Sequence, residues 1–276
     1  MMPAVRIVIP TCLAILLVTG CATHSHVPAQ HAIAARESRS ADVTARQTIF
    51  YVDGAGGGGP ITDGTPDVRR GFVEAGFDGD FRPFGWQTGL GALADEVASV
   101  EYKRRAGERL AAEIVRAMDA GQSRISIVAT SAGTIVAIFA LEALPESASV
   151  ESVALLSSAV SADYDLSAAL DRISSSLLVF RSERDSLLRS LIPLVGSADR
   201  ADVGDRVAGL YGFLLPDDAD EQRRAAYRKV ETVEWCDKLR EVDHTGGHTD
   251  CKRPRFIRAV VAPRLIGAKP AVLAAR

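Results

Sequence analysis

The most constraining feature of this sequence is an apolar segment, residues 124–144, that changes its periodicity at one serine. Residues 125–128 are mostly β-branched, which is typical of a buried parallel strand. Residues 132–144 are almost continuously apolar, which predicts a buried helix, and Pro145 supplies its end. The pattern therefore places Ser131 on the turn between a strand and a helix.

A serine on such a turn is suited to act as a nucleophile. The tight turn strains its backbone, so the hydroxyl is lifted out of the sheet and lies over the N-terminus of the helix. The residues two positions away on either side must be small, and here they are Ala129 and Gly133. The N–H of Ala132 would point toward a developing oxyanion, where the helix dipole favours negative charge. The turn alone leaves open the alternative of a structural serine.

The pentapeptide from Ala129 to Gly133 resembles the nucleophile elbow, G-x-S-x-G, of the α/β-hydrolase superfamily, with alanine at the first glycine position. The resemblance covers about residues 48–268. It implies an α/β fold in a single domain, with a mostly parallel central sheet and helices on both faces. It also implies a serine hydrolase with the triad order Ser, Asp, His.

The hydrophobic pattern alternates between strands and helices, which independently favours a parallel sheet. The predicted strands are residues 48–52, 81–86, 125–128, 150–156, 177–180 and 230–235. The predicted helices are residues 102–118, 132–144, 166–173 and 254 to about 261. Residues 187–220 are predicted to form a long irregular connection that covers a pocket. Its apolar residues, candidates for lining an acyl site, are Leu191, Ile192, Leu194, Tyr211, Phe213 and Leu214.

A glycine-rich loop follows the first predicted strand, from Asp53 to Gly59. It contains G-x-G-x-x-G, a dinucleotide fingerprint, but that motif needs a helix that begins on the loop, and residues 60–66 are typical of turns instead. No Gly-Lys-Ser/Thr follows, so a P-loop is excluded. The hydrolase resemblance implies that Gly54 or Ala55 supplies the second oxyanion-hole N–H. A nucleotide-dependent oxidoreductase is the weaker alternative.

The candidate triad acid is Asp185, which follows the strand at residues 177–180. The hydrolase resemblance places the acid at this point of the chain. Glu183 and Asp163 are alternatives, and Asp185 also has the position of a helix N-cap.

The candidate base is one of two histidines near the C-terminus. The chain has five histidines, and the other three lie before residue 32. His248 is favoured over His244 because a histidine after two glycines and before the last helix resembles the family more closely. The alternative for both is a solvated loop histidine.

The N-terminus predicts a lipid-anchored chain in the bacterial cell envelope. Residues 1–20 have the short basic and apolar regions of a signal peptide. Residues 17–21, ending at Cys21, resemble the lipobox of bacterial lipoproteins, in which that cysteine is lipidated. Residues 21–47 are predicted to be a flexible tether, and residues 48–276 the hydrolase domain. The residue after Cys21 is Ala22 and not an aspartate. In this respect the chain resembles lipoproteins that are sorted to the outer membrane and face the periplasm.

The two cysteines of the predicted domain, Cys236 and Cys251, suggest a disulfide. Cys12 leaves with the signal peptide and Cys21 is committed to lipid, so these two form an even pair in an oxidising compartment. A disulfide there would hold the histidine loop in place.

The composition excludes a nucleic-acid role. The net charge of the 276 residues is −3, and no basic run with interleaved aromatic residues is present. The sequence thus predicts a lipid-anchored serine esterase that acts on a small-molecule or lipid ester and needs no metal or organic cofactor. The alternative is a catalytically inactive hydrolase-fold module that binds envelope partners. The oligomeric state stays open.

Overall fold

Six parallel strands form the centre of the structure, a computed structural model that describes residues 47–59, 62–201 and 203–267. Their order in the sheet is β2-β1-β3-β4-β5-β6, and every neighbouring pair is parallel. The strands are β1 (Gln47–Val52), β2 (Asp80–Phe84), β3 (Arg124–Thr130), β4 (Val150–Leu156), β5 (Ile173–Arg181) and β6 (Val230–Glu234).

The helices lie between and after the strands along the chain. They are α1 (Thr65–Glu74), α2 (Ala92–Glu96), α3 (Val100–Asp119), α4 (Gly133–Ala143), α5 (Ser167–Leu170), α6 (Ser186–Val195), α7 (Ala208–Tyr211), α8 (Glu221–Tyr227), α9 (Pro254–Phe256) and α10 (Ala262–Ile266). A π-helical turn, Ile257–Val261, joins α9 to α10, and two 3₁₀ helices, Asp237–Val242 and His248–Lys252, precede them.

The core has two layers because successive side chains of each strand point to opposite faces of the sheet. In β1, Phe50 and Val52 pack in the layer that includes α3 and α4, whereas Ile49 and Tyr51 pack in the layer that includes α1. Strands buried on both faces need continuous apolar sequence, and β1 is buried at every position. The predicted fold class, a parallel sheet with helices on both faces in a single domain, is confirmed.

The candidate site lies where the direction of the connections changes. The connection after β1 leads to α1 on one face, and the connection after β3 leads to α4 on the other. Since β1 and β3 are neighbours in the sheet and paired up to Val52 and Ala129, the connections that leave their carboxyl ends toward opposite faces form a crevice, the usual place for a ligand in an open parallel sheet.

Several element predictions differ from the structure. Residues 187–220 are not irregular throughout, because they contain most of α6 and all of α7. The hydrophobic pattern also does not predict α1 and α2, which the structure has. The helix predicted at residues 166–173 is only α5, since Ile173 already begins β5. The first strand begins at Gln47, inside the predicted tether.

The predicted signal peptide, the lipidation site Cys21 and the tether up to residue 46 lie outside the described residues. None of the helices within residues 47–59, 62–201 and 203–267 has the length and apolar character needed to cross a bilayer.

We expect Gly107→Val to lower the free energy of unfolding by about 2 kcal/mol or more. Gly107 lies where α3 crosses α4, and a Cβ atom there would be 2.6 Å from Cβ of Phe139 and 2.9 Å from the amide nitrogen of Ala140. The two helix backbones would have to separate. Chemical denaturation measures the change, and Gly85→Val is the matched control because a Cβ at Gly85 meets no atom within 4 Å. Equal stability of the two variants would contradict the close approach.

Candidate active site

Ser131 occupies a strained turn between β3 and α4. Its φ is 51°, in the left-handed region that residues other than glycine rarely adopt. Gly133 allows this turn because a Cβ atom there would be 2.8 Å from the carbonyl oxygen of Val52 and closer still to that of Asp53. Ala129, at the variant position of the elbow, is fully buried in the layer that includes α4.

A continuous chain of hydrogen bonds joins Ser131, His248 and Asp185. The Oγ of Ser131 lies 2.9 Å from Nε2 of His248, and Nδ1 of His248 lies 2.7 Å from Oδ2 of Asp185. With the proton on Nδ1 directed at the carboxylate, Nε2 is the acceptor for the serine hydroxyl. This tautomer is the one that a general base next to serine requires.

The two carboxylate oxygens of Asp185 have different partners. Its Oδ2 faces His248, while its Oδ1 accepts a 3.0 Å hydrogen bond from the N–H of Leu188 and so caps α6. The carboxylate is fully buried. The helix therefore fixes the acid, and through it the imidazole.

The other candidate acids and the other candidate base lie elsewhere. Glu183 and Asp163 are exposed and pair with Arg181 and Arg206. His244 is fully buried between the rings of Phe180 and Phe256, which lie 4.7 Å and 4.6 Å away. Its Nδ1 accepts a hydrogen bond from the N–H of Gly246. Burial lowers the pKa of His244 to about 4, so its imidazole is neutral at ordinary pH.

A buried carboxylate that sequence analysis overlooked, Asp53, connects three loops of the site. Its Oδ1 accepts hydrogen bonds from the Thr130 hydroxyl at 3.0 Å and from Nζ of Lys252 at 3.1 Å. Its Oδ2 accepts the N–H of Gly64 at 2.6 Å. Thr130 precedes the serine and Lys252 belongs to the 3₁₀ helix of His248. No local sequence motif predicts this network, because its members come together only in the folded chain.

The Asp53 carboxylate also bears on the predicted oxyanion hole. The N–H of Gly54 donates to Oδ1 of Asp53 at 2.7 Å, so this candidate donor is already engaged. Within the described part of the chain, the N–H groups of Ala55 and Ala132 have no acceptor. Gly54 instead provides space, because a Cβ there would lie 2.9 Å from Cβ of Ser131.

A cavity of about 630 Å³ opens beside the serine. Its apolar side is supplied by α2, α6 and the segment after β4. The residues of that side are Ala92, Leu93, Ala159, Leu187, Leu188, Leu191 and Ile192. Leu191 and Ile192 thus line the cavity as predicted. Leu194, Tyr211 and Leu214 are exposed, and Phe213 packs in the core.

The predicted disulfide between Cys236 and Cys251 is wrong. Both are free thiols, with Cys236 exposed and Cys251 buried. The 3₁₀ turn directs Cys251 inward, where its Sγ–H donates to the carbonyl oxygen of His248 at 3.2 Å. Burial raises the pKa of the Cys251 thiol to about 12. The histidine loop is held by this hydrogen bond and by Lys252, not by a covalent link.

The buried His244 gives an expected pH dependence of stability. Above about pH 6.5 its imidazole is neutral in both the folded and the unfolded chain. Between pH 6.5 and about 4 only the unfolded chain takes up the proton, so stability falls with falling pH. Relative to His244→Phe, the wild type should lose about 3 kcal/mol of unfolding free energy over this range. Urea denaturation at a series of pH values measures the difference, and parallel curves would contradict a neutral, buried histidine.

Comparisons with known proteins add little to this geometry. No family model matches the sequence, and no curated protein matches it. Among solved structures, the chain is similar to Aspergillus fumigatus lipase B, with 14% sequence identity and a TM-score of 0.47. The match covers 82% of this chain and 54% of the lipase, so the chain spans about half the length of that protein.

Proposed function

We propose that this protein is a serine hydrolase that cleaves esters through an acyl-enzyme on Ser131. The observation that carries the proposal is the hydrogen-bond chain from Ser131 Oγ through His248 to Asp185, with distances of 2.9 Å and 2.7 Å. A strained serine, an imidazole in the basic tautomer and a buried carboxylate together form an activated nucleophile. A serine that merely packed on a turn would not need this arrangement.

In the first half of the proposed reaction, Ser131 Oγ attacks the ester carbonyl carbon. His248 Nε2 takes the serine proton, and Asp185 stabilises the imidazolium through the Nδ1–H bond. The tetrahedral intermediate collapses when the bond to the alcohol oxygen breaks, and His248 gives its proton to that oxygen. In the second half, water attacks the acyl carbon and gives a proton to His248. The bond to Ser131 Oγ then breaks, His248 returns the proton to Oγ, and the carboxylic acid leaves.

The negative charge that forms on the carbonyl oxygen requires hydrogen-bond donors. We assign this role to the N–H groups of Ala132, at the N-terminus of α4, and Ala55. Ala132 directly follows Ser131 in the chain and Ala55 lines the cavity. Their N–H groups have no acceptor among the described residues, whereas the N–H of Gly54 is engaged by Asp53. The hole is thus proposed to be preformed, because Asp53 fixes the loop that carries Ala55.

The cavity supports an ester that has an apolar part. Leucine and isoleucine side chains of α6 and the exposed Leu93 of α2 form its wall and mouth. Apolar surface of this kind binds the hydrocarbon portion of a ligand, while a few polar groups orient it.

We expect a fluorophosphonate probe to label Ser131 of the purified protein, with the site located by mass spectrometry. Ser131→Ala and His248→Ala should abolish labelling, and each should lower kcat/KM for 4-nitrophenyl butyrate by about 10⁴ or more. His244→Ala is the matched control and should keep the label, because His244 lies in the core. A folded wild-type protein that takes no label would reject the catalytic proposal and favour the envelope-binding alternative.

We also propose that the chain is anchored by lipid at Cys21 in the bacterial outer membrane. Support comes from the sequence alone, namely the apolar segment before Cys21 and the lipobox resemblance.

The lipid anchor predicts that an alkyne analogue of palmitate, supplied to expressing bacteria, becomes attached to the protein. Cys21→Ser should remove that label and release the protein from the membrane fraction, whereas Cys236→Ser should not. Labelling that persists in Cys21→Ser would contradict the assignment.

A further inference from the structure

Two adjacent acidic residues at the end of α2 differ sharply in their hydrogen bonding. Asp95 and Glu96 are both buried, with 1% and 4% of their surface exposed. The Asp95 carboxylate accepts three hydrogen bonds: one from the N–H of Gly56 and two from the N–H and hydroxyl of Thr88. Oε1 of Glu96 has no partner among the described residues. Buried polar atoms are almost always paired, so this orphaned oxygen requires an explanation.

Glu96 lines the same cavity as Ser131 and His248. The other charged side chains of the cavity wall are already occupied. Lys252 pairs with Asp53, Arg253 with Asp250, and Asp67 with Arg70, while Asp63 accepts the N–H of Thr65. The carboxyl group of Glu96 is therefore the buried polar group of this wall that is available to a ligand.

The position of Glu96 is fixed from both sides. Asp95 ties α2 to the glycine-rich loop through Gly56. Lys103, fully buried on α3, donates from Nζ to the main-chain carbonyls of Glu96 at 2.9 Å and Ala198 at 3.1 Å. The ammonium group thus holds the backbone of Glu96 and leaves its carboxyl group free. The backbone that carries the carboxyl group is therefore in place before a ligand binds, which limits the entropy lost on binding.

The charges around the carboxyl group indicate what kind of ligand group it accepts. Lys103 and Arg200 act on it as cations and Asp95 as an anion. Burial raises the pKa of Glu96, and burial lowers the pKa of Lys103 to about 8. A ligand ammonium would meet two positive groups, Lys103 and Arg200, and a ligand carboxylate would meet two buried acids. A neutral hydrogen-bonding group is the better match.

We propose, on the basis of the function proposed above, that Glu96 is a specificity-determining residue that binds a hydroxyl group of the ester substrate. A hydroxyl group both donates and accepts, so it pairs with a carboxyl group in either protonation state. The apolar side chains of the same cavity, among them Ala92 and Leu93 of α2 and Ile192 of α6, offer no competing hydrogen bond. The preferred substrate is therefore a hydroxylated ester with an otherwise apolar body.

The test compares matched esters with the full-length protein. One pair offers the hydroxyl on the acyl side, 4-nitrophenyl 3-hydroxybutyrate against 4-nitrophenyl butyrate, and the other offers it on the alcohol side, 2-hydroxyethyl butyrate against ethyl butyrate. The readout is the ratio of kcat/KM within each pair. In at least one pair the wild type should prefer the hydroxylated ester by about tenfold or more, because a buried partner is left unpaired without it.

Glu96→Leu and Glu96→Ala should each reduce that preference by about tenfold to a hundredfold, with folding checked by circular dichroism. Glu108→Leu, at an exposed carboxylate of α3, is the control and should keep the wild-type ratio. Absence of a preference in both wild-type pairs, or an unchanged preference in the Glu96 variants, would overturn the proposal while ester cleavage stands. A wild type that cleaves none of the four esters and takes no fluorophosphonate label would overturn the proposed function, and this inference with it.

Discussion

The buried carboxylate of Asp53 is the interaction on which the geometry of the site depends. It accepts hydrogen bonds from Gly54, Gly64, Thr130 and Lys252, which belong to separate parts of the chain. A buried carboxylate depends on its donors, and loss of the charged one, here Lys252, leaves a costly uncompensated charge. The loop after β1, the residue before the nucleophile and the helix that carries His248 are therefore held as one unit. The main-chain oxygen of Asp53 adds a further link, because it accepts the indole N–H of Trp86 at 2.7 Å.

Burial gives the titratable groups near the site different properties, and hydrogen bonding decides which of them remain available. His244 and Cys251 lie within a few residues of His248, yet both are kept neutral by desolvation and packed in the core. His244 is packed between two phenylalanine rings away from the cavity, and Cys251 borders the cavity but its thiol already donates to the carbonyl oxygen of His248. Glu96 is equally buried and also borders the cavity, but its Oε1 has no partner in the described part of the chain, so it can be satisfied only by a ligand or solvent there. Burial alone thus does not distinguish a supporting residue from a binding residue.

The sequence predicted those features that depend on local pattern. The strand at residues 150–156, the apolar α4 and the turn at Ser131 follow from hydrophobic periodicity and small residues at fixed positions, and the structure has them there. Asp185 and His248 were selected through family resemblance, and the structure brings both to Ser131. What could not be predicted depends on contacts between distant segments. The pairing of Asp53 with Lys252 spans 199 residues, and Lys103 reaches Ala198 across 95. The disulfide prediction failed for the same reason, because cysteine number and compartment do not reveal which way a side chain points.

The substitution of alanine at the first small position of the elbow has a simple steric explanation. Gly133 lies against the main-chain carbonyls of Val52 and Asp53, where any Cβ would collide with backbone that the sheet holds in place. Ala129 is in the last part of β3, paired with Val52 and Leu155 in neighbouring strands, and its methyl group packs among apolar side chains of the α4 layer. Side chains of such a layer can adapt to one methyl group, whereas a paired strand backbone cannot move away. The two small positions of the motif are therefore unequal in this fold, and the glycine is present at the position where the backbone requires it.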